Sequence, residues 1–207
     1  MLLLGLDAGC SSLGTTPATP NLSGSWQFDA PASDDAHAKI EKVMAQQEAK
    51  QRARRAKRRG LPAGSAEAGL EDEDLGVDEL DQPGRGGRVA MLEVDLKQLR
   101  ANLQEALRAP AALRVDVRGE QVELRPESQP SRSYHPGEVS GRIDSFGAAR
   151  IVSGWDGSAF VVQARYGNGI ARAERYELSH DGLLILTLSY SDPTVGKLVL
   201  RSAYRRA

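Results

Sequence analysis

Residues 112–124, ALRVDVRGEQVEL, carry the pattern that decides the fold. Apolar side chains at 113, 115 and 117 alternate with charged ones, and the alternation resumes at 122 and 124. A period of two is that of a β-strand with one buried face. The intervening RGEQ is typical of a tight turn, so the stretch predicts two adjacent antiparallel strands.

The same period continues toward the C-terminus. Further short strands are predicted at residues 132–135, 138–143, 148–155, 159–166, 170–178, 183–190 and 197–205. The turns between them carry Gly, Asp or Pro: HPGE, SFG, WDGS, YGNG, SHDG and SDPTVG. Connections this short join antiparallel neighbours, because a parallel crossover needs about a dozen or more residues. The sequence therefore predicts an antiparallel β-meander.

One of these strands is highly charged. Its charged residues are Arg172, Glu174, Arg175 and Glu177, and they are interleaved with the apolar side chains of Tyr176 and Leu178. We expect all four charged residues to lie on the outer, solvated face of the sheet.

The aromatic residues are confined to two parts of the chain. All ten lie at Trp26 and Phe28 or from Tyr134 to Tyr204. Because aromatic side chains bury the most area per residue, the core should combine residues 21–29 with residues 110–207. The alternation of Leu22, Gly24, Trp26 and Phe28 predicts a first strand within 21–29.

The segment between these two parts reads as an insertion. Residues 30–60 predict a charged helix with Asp34 and Asp35 at its N-terminus and one short apolar face. Residues 61–87 contain eight acids between 67 and 81 and abundant Gly, which predicts a disordered linker. Residues 88–109 predict an amphipathic helix from about Val89 to Leu107, with a leucine stripe. The fold class is thus mainly β with inserted helices (α+β).

Composition excludes several function classes. The chain has 27 basic and 28 acidic residues, so nothing indicates a nucleic-acid binder. One cysteine excludes an internal disulfide framework, and three scattered histidines offer no zinc site. No nucleotide loop or nucleophile motif is present, and the acidic run at 71–74 lacks the spacing of a calcium loop. We expect no metal, no cofactor and no catalytic residue.

Two histidines and one glycine-rich loop are candidates for a catalytic or phosphate-binding site. His135 and His180 precede Pro-Gly and Asp-Gly, so turn geometry explains them better than proton transfer does. YGNG at 166–169 opens a strand rather than a helix, so a hairpin is favoured over a phosphate loop.

The N-terminus resembles the end of a bacterial lipoprotein signal. Ala8, Gly9 and Cys10 match the last three positions of a lipobox, although Asp7 stands where that motif has an apolar residue. The resemblance implies acylation of Cys10, a truncated signal in residues 1–10, and a translation start upstream of Met1. Residues 11–20, rich in Ser, Thr and Pro, predict a flexible tether. Ser11 after the cysteine implies an outer-membrane lipoprotein that faces the periplasm.

The first strand resembles the opening of another family. Gly24, Ser25 and Trp26 are similar to the G-x-W start of lipocalin-type barrels and to the LSGxW start of uncharacterised exported bacterial proteins. The resemblance implies a curved sheet or small, lipocalin-like partial barrel in which first and last strands pair, with Arg201 or Arg205 over Trp26. The alternative is that Trp26 packs on the 92–107 helix. Short strands make a large ligand cavity doubtful.

A basic run, KQRARRAKRR, extends from Lys50 to Arg59. The favoured interpretation is a solvated helix that pairs loosely with the acidic linker. Contact with an anionic lipid surface is the alternative, and nucleic acid is disfavoured because no aromatic residue lies nearby.

The sequence as a whole favours a lipid-anchored protein of the cell envelope that acts as a binding or scaffold module, without catalysis. An envelope enzyme whose site only the fold assembles, and a soluble periplasmic carrier of a small apolar ligand, remain the alternatives. The leucine stripe favours packing of the 88–109 helix on its own domain, with a partner helix as the alternative, and the sequence does not identify a protein partner.

Overall fold

The computed structural model describes residues 13–16, 21–59 and 95–207. Within these ranges the two helices follow the first strand and precede all the others. The elements are β1 (Gly24–Asp29), α1 (Ala36–Arg59), α2 (Leu96–Ala106), β2 (Ala112–Arg118), β3 (Gln121–Pro126), β4 (Arg132–Tyr134), β5 (Val139–Asp144), β6 (Gly147–Asp156), β7 (Ala159–Tyr166), β8 (Ala171–Leu178), β9 (Leu184–Asp192) and β10 (Gly196–Arg206).

The strands form one antiparallel sheet in the order β4-β3-β2-β1-β10-β9-β8-β7-β6-β5. The prediction of an antiparallel meander in a mainly β fold with inserted helices is therefore confirmed, but the prediction that HPGE joins neighbouring strands is wrong, because β4 and β5 lie at opposite edges of the sheet. β1 lies between β2 and β10, with Trp26 opposite Leu113 on one side and Arg206 on the other. Pairing of the first strand with the last is confirmed as well.

The sheet curls until its two edges approach each other. Across the interior, Arg132 on β4 donates to Glu174 on β8 over 2.7 Å. The rings of Tyr134 on β4 and Phe160 on β7 lie 5.9 Å apart. No hydrogen-bonded ladder joins β4 to β5 in the part of the chain that the structure describes. The result is a partial barrel with a gap between those two strands.

Helix α1 packs one face on the sheet. Asp35 caps its N-terminus, accepting a hydrogen bond from the Ala38 amide over 3.0 Å. Ile40, Met44 and Gln47 are buried at helical spacing, and the Gln47 amide donates to the Thr194 carbonyl. The predicted apolar face is confirmed.

Helix α2 is shorter than the predicted 88–109 helix. Asp95 has an extended backbone and accepts from the amides of Lys97 and Gln98, so the helix begins at Leu96. A start at Val89 is therefore wrong, because a helix cannot continue through its own N-cap. Leu99 and Leu103 of the predicted leucine stripe are buried against the sheet. The first leucine of that stripe, at position 92, and the predicted 61–87 linker lie outside the described residues.

Trp26 is buried beneath an arginine, but not beneath either predicted one. Its indole nitrogen donates to the Leu22 carbonyl, and the Arg206 guanidinium lies 5.0 Å from the ring. The register places Arg206 directly opposite Trp26, on the same face. Arg205 is one residue off, points to the other face and binds Asp29 over 2.6 Å.

Residues 13–16 contact the sheet. Gly14 exchanges two backbone hydrogen bonds with Trp155 on β6, of 2.7 and 2.8 Å. For these four residues the prediction of an unpacked tether is wrong, since β6 extends beyond β5 and offers free backbone groups there. Among the described residues, no helix has the length and apolar character needed to cross a membrane.

Candidate functional site

A cavity of about 340 Å³ opens at one end of the curled sheet. Its mouth is formed by the C-terminal end of α2 and by the turns that follow β3 and β5, and its wall by β8 and β9. The lining is unusually rich in charge. It holds four arginines and three carboxylates: Arg108, Arg132, Arg142, Arg172, Glu105, Asp144 and Glu174.

Strand β8 delivers two of these charges to the interior. Tyr176 is buried in the core, and side chains two residues apart share a face of a strand, so Glu174 and Arg172 point inward with it. The prediction that Arg172 and Glu174 lie on the outer face is therefore wrong. Arg175 and Glu177 have the opposite parity and bind each other on the outside, as predicted.

Glu174 is the centre of a buried hydrogen-bond cluster. Arg132 donates to one carboxylate oxygen over 2.7 Å, and the Tyr176 hydroxyl donates to the other over 2.6 Å. Burial by itself would raise the pKa of Glu174. The charge of Arg132 and the hydrogen bonds from Arg132 and Tyr176 outweigh burial and lower that pKa to about 2. The pair is therefore ionised at neutral pH.

Asp144 is similarly occupied. Its carboxylate accepts from the Tyr166 hydroxyl over 2.7 Å, from Arg142 over 3.3 Å and from the Phe146 amide over 2.9 Å. Burial and the bond to Asp144 raise the pKa of Tyr166. Both carboxylates thus already have their hydrogen-bond donors.

The arginines, in contrast, retain free donors. The Nε atoms of Arg132 and Arg142 are buried and have no hydrogen-bond partner. Arg172 lies over the Phe146 ring, 4.9 Å from its centroid. Arg108 forms no ion pair within the described ranges. The Nε donors of Arg132 and Arg142 are therefore unsatisfied, whereas Glu174 and Asp144 beside them already have donors.

An apolar wall completes the cavity. Leu186 and Leu188 of β9 and the ring of Tyr176 line it beside the charged groups, together with Pro110 and Pro130. A molecule inside would meet both charged groups and hydrocarbon, since the β8–β9 register places Leu188 beside Glu174 and Leu186 beside Tyr176.

The residues singled out from the sequence lie elsewhere or are not described. Cys10 and the acidic run at 71–74 are outside the described residues. His135 and His180 are exposed in turns, as predicted, and YGNG forms the β7–β8 hairpin. The described side chains of the basic run, up to residue 56, lie on α1, and its contact with an anionic surface stays a prediction. No group of three metal-ligating side chains is assembled in the described ranges.

Sequence reasoning did not identify the cavity residues. Arg132 and Arg142 stand in short strands beside turns, where arginine is ordinarily solvated. One signal in the sequence does indicate two of them. Arg172 and Glu174 occupy the same alternate positions of β8 as Tyr176 and Leu178, so all four share one face of the strand.

Comparison with known proteins gives similarities of shape only. No protein-family profile and no curated protein matches the chain. The "REP1-NXSQ fatty acid transporter" is 13% identical, with 90% of this chain and 96% of that chain covered and a TM-score of 0.45. "Fluorescent protein UnaG" is 17% identical, with 90% and 97% covered and a TM-score of 0.47. Caenorhabditis elegans "lipid binding protein 8 (LBP-8)" is 10% identical, with 89% and 94% covered and a TM-score of 0.46.

Proposed function

We propose that the protein is a binding protein that holds one small, partly apolar anion in the cavity inside the curled sheet. The observation that carries the proposal is the pair of buried, unpartnered Nε groups of Arg132 and Arg142 in a lining with more arginines than carboxylates. A carboxylate, sulfonate or phosphate head group supplies the acceptors that these donors lack.

Electrostatics favours an anion over a neutral or cationic ligand. Four arginines and three carboxylates leave the lining with one positive charge in excess. A buried charge is costly unless it is paired and hydrogen-bonded, so an anion relieves a cost that the empty cavity bears. Each hydrogen bond between charged groups contributes about 1.5–3 kcal/mol.

The hydrocarbon part of the ligand would lie against Leu186 and Leu188. Both side chains are buried, and the Tyr176 ring continues the same apolar wall. Each methylene group transferred there from water adds about 0.8 kcal/mol. The ligand class is therefore a short amphipathic acid.

A binding role without catalysis agrees with the state of the carboxylates. Glu174 and Asp144 are bonded to arginine and tyrosine donors, and the lowered pKa of Glu174 makes it a weak base. His135 and His180 are not among the cavity residues.

The proposed location is the periplasmic face of the bacterial outer membrane, through acylation of Cys10. The lipobox-like Ala8, Gly9 and Cys10 and the following Ser11 support this proposal. Mass spectrometry of the protein expressed from its full reading frame should find a diacylated or triacylated Cys10 as the first residue. An unmodified N-terminus in the soluble fraction would rule the anchor out.

The binding proposal can be tested by displacement of 8-anilinonaphthalene-1-sulfonate with octanoate, octanol and octylamine. Octanoate should displace the dye at the lowest concentration. The Arg142→Met variant should weaken octanoate by about 10- to 100-fold, the loss of one charged hydrogen bond, and leave octanol unchanged.

Arg150→Met is the matched control, because Arg150 is an exposed arginine on β6 and does not line the cavity. Its affinity for octanoate should equal that of the unaltered protein. Equal displacement by octanoate and octylamine, or an equal loss in both variants, would contradict the proposal.

A further inference from the structure

The outside of β5, β6 and β7 combines exposed apolar and basic side chains. Arg142 and Asp144 of β5 point into the cavity, so the alternate residues Val139 and Ile143 point outward. Val139 is 54% exposed and Ile143 is 84% exposed. Arg150 on β6 and Arg165 on β7 lie on the same side and are exposed. We call these four residues the outer β5–β7 face.

The two arginines stand directly opposite each other across the β6–β7 ladder. Like charges in that position destabilise a strand pair. Their next neighbours in the row are Gly141 and Ala171, which carry no charge. Neither arginine forms an ion pair in the described part of the chain. An anionic partner would remove this repulsion.

The chain that leads from Cys10 reaches the sheet beside this face. Gly14 is hydrogen-bonded to Trp155 on β6, and Leu13 packs against Gly154. Cys10 precedes Leu13 by three residues, which span about 11 Å at most. An acyl chain on Cys10 would therefore hold the β5–β6 side of the sheet close to lipid headgroups.

We propose that the outer β5–β7 face docks on an anionic membrane surface. Arg150 and Arg165 contact lipid phosphates, and Val139 and Ile143, on the next strand beside Arg150, enter the headgroup layer. This inference goes beyond the proposed ligand binding and does not depend on the cavity. It places the mouth of the cavity near the membrane, because Ile143 of this face lies two residues from Ser145, which lines the cavity.

The test uses the full chain with Cys10→Ser, so that no acyl chain contributes to binding, and substitutions in the outer β5–β7 face separate its contribution from that of the basic run at 50–59. Sedimentation with phosphatidylcholine vesicles should show little binding, and added phosphatidylglycerol should produce binding that high salt reverses. Arg150→Gln together with Arg165→Gln should lower that affinity by about 25-fold, or about fivefold per arginine. Ile143→Ser should lower it severalfold.

Val199→Ser is the matched control, because Val199 is 41% exposed on β10, outside this face. It should bind vesicles as the parent chain does. The double arginine variant should unfold at the same temperature or higher, since it removes a like-charge pair. Equal losses in the Val199 and Ile143 variants would overturn the proposal. Unchanged binding without the two arginines, or self-association in solution that Ile143→Ser abolishes, would also overturn it.

Discussion

Replacing Glu174 by Gln tests the buried cluster, because the change removes one charge and little volume. Arg132 would keep its position but lose its counter-ion. Removing one partner of a buried ion pair costs about 3–5 kcal/mol. The lowered pKa of Glu174, about 2 against an ordinary 4.5, corresponds independently to about 3 kcal/mol at neutral pH. We therefore expect the free energy of unfolding to fall by about 3 kcal/mol.

The same variant should bind anions more tightly, since it frees Arg132 and raises the excess positive charge of the cavity. Urea denaturation followed by tryptophan fluorescence measures the first effect, and octanoate titration measures the second. The double replacement of Arg132 by Met and Glu174 by Leu is the control, and it should be close to neutral for stability. An unchanged stability in Glu174→Gln, or a weaker affinity for octanoate, would refute the reasoning.

The remaining predictions concern pH, the core and the segment beside β6. The contribution of Glu174 is fully present above pH 4.5 and should disappear as the pH falls through about 2, which acid titration of the Glu174→Gln variant and its parent would resolve. Trp26→Ala should cost about 3–5 kcal/mol in urea denaturation, whereas a loss below 1 kcal/mol would mean that the indole is not part of the core. In Gly154→Val a Cβ would lie 2.6 Å from that of Leu13, so hydrogen exchange at Gly14 should accelerate, and Gly141→Ala, with room for a methyl group, should leave it unchanged.

Sequence periodicity predicted the strands because one face of each is buried and the other is not. The turns at YGNG and SHDG carry the residues that tight hairpins require, so the order within β2 to β4 and within β5 to β10 followed from short connections. The equally short HPGE joins β4 and β5, which lie at opposite edges of the sheet. The pairing of β1 with β10 was implied by the resemblance of Gly24, Ser25 and Trp26 to the start of lipocalin-type barrels. The isolated position of Trp26 indicated only that this side chain packs on another element, since a six-residue strand cannot bury it alone.

The charged residues of the interior were not predictable from composition, because composition does not distinguish a buried ion pair from a solvated one. The charge of Arg172 and Glu174 predicts the outside, although both occupy the same alternate positions of the strand as Tyr176, which indicates the inside. The identity of the arginine over Trp26 depended on a one-residue register that β10 alone does not specify. Arg132 and Glu174 lie 42 residues apart, and only the curl of the sheet brings them together.

The most direct test of the central claim is a crystal structure of the protein with ω-bromooctanoate. The anomalous signal of bromine should lie inside the curled sheet beside Leu186 and Leu188, with the carboxylate within hydrogen-bond distance of the Arg132 and Arg142 Nε atoms. Bromine on the outer surface, or a carboxylate in solvent with the arginines still unpartnered, would contradict the account.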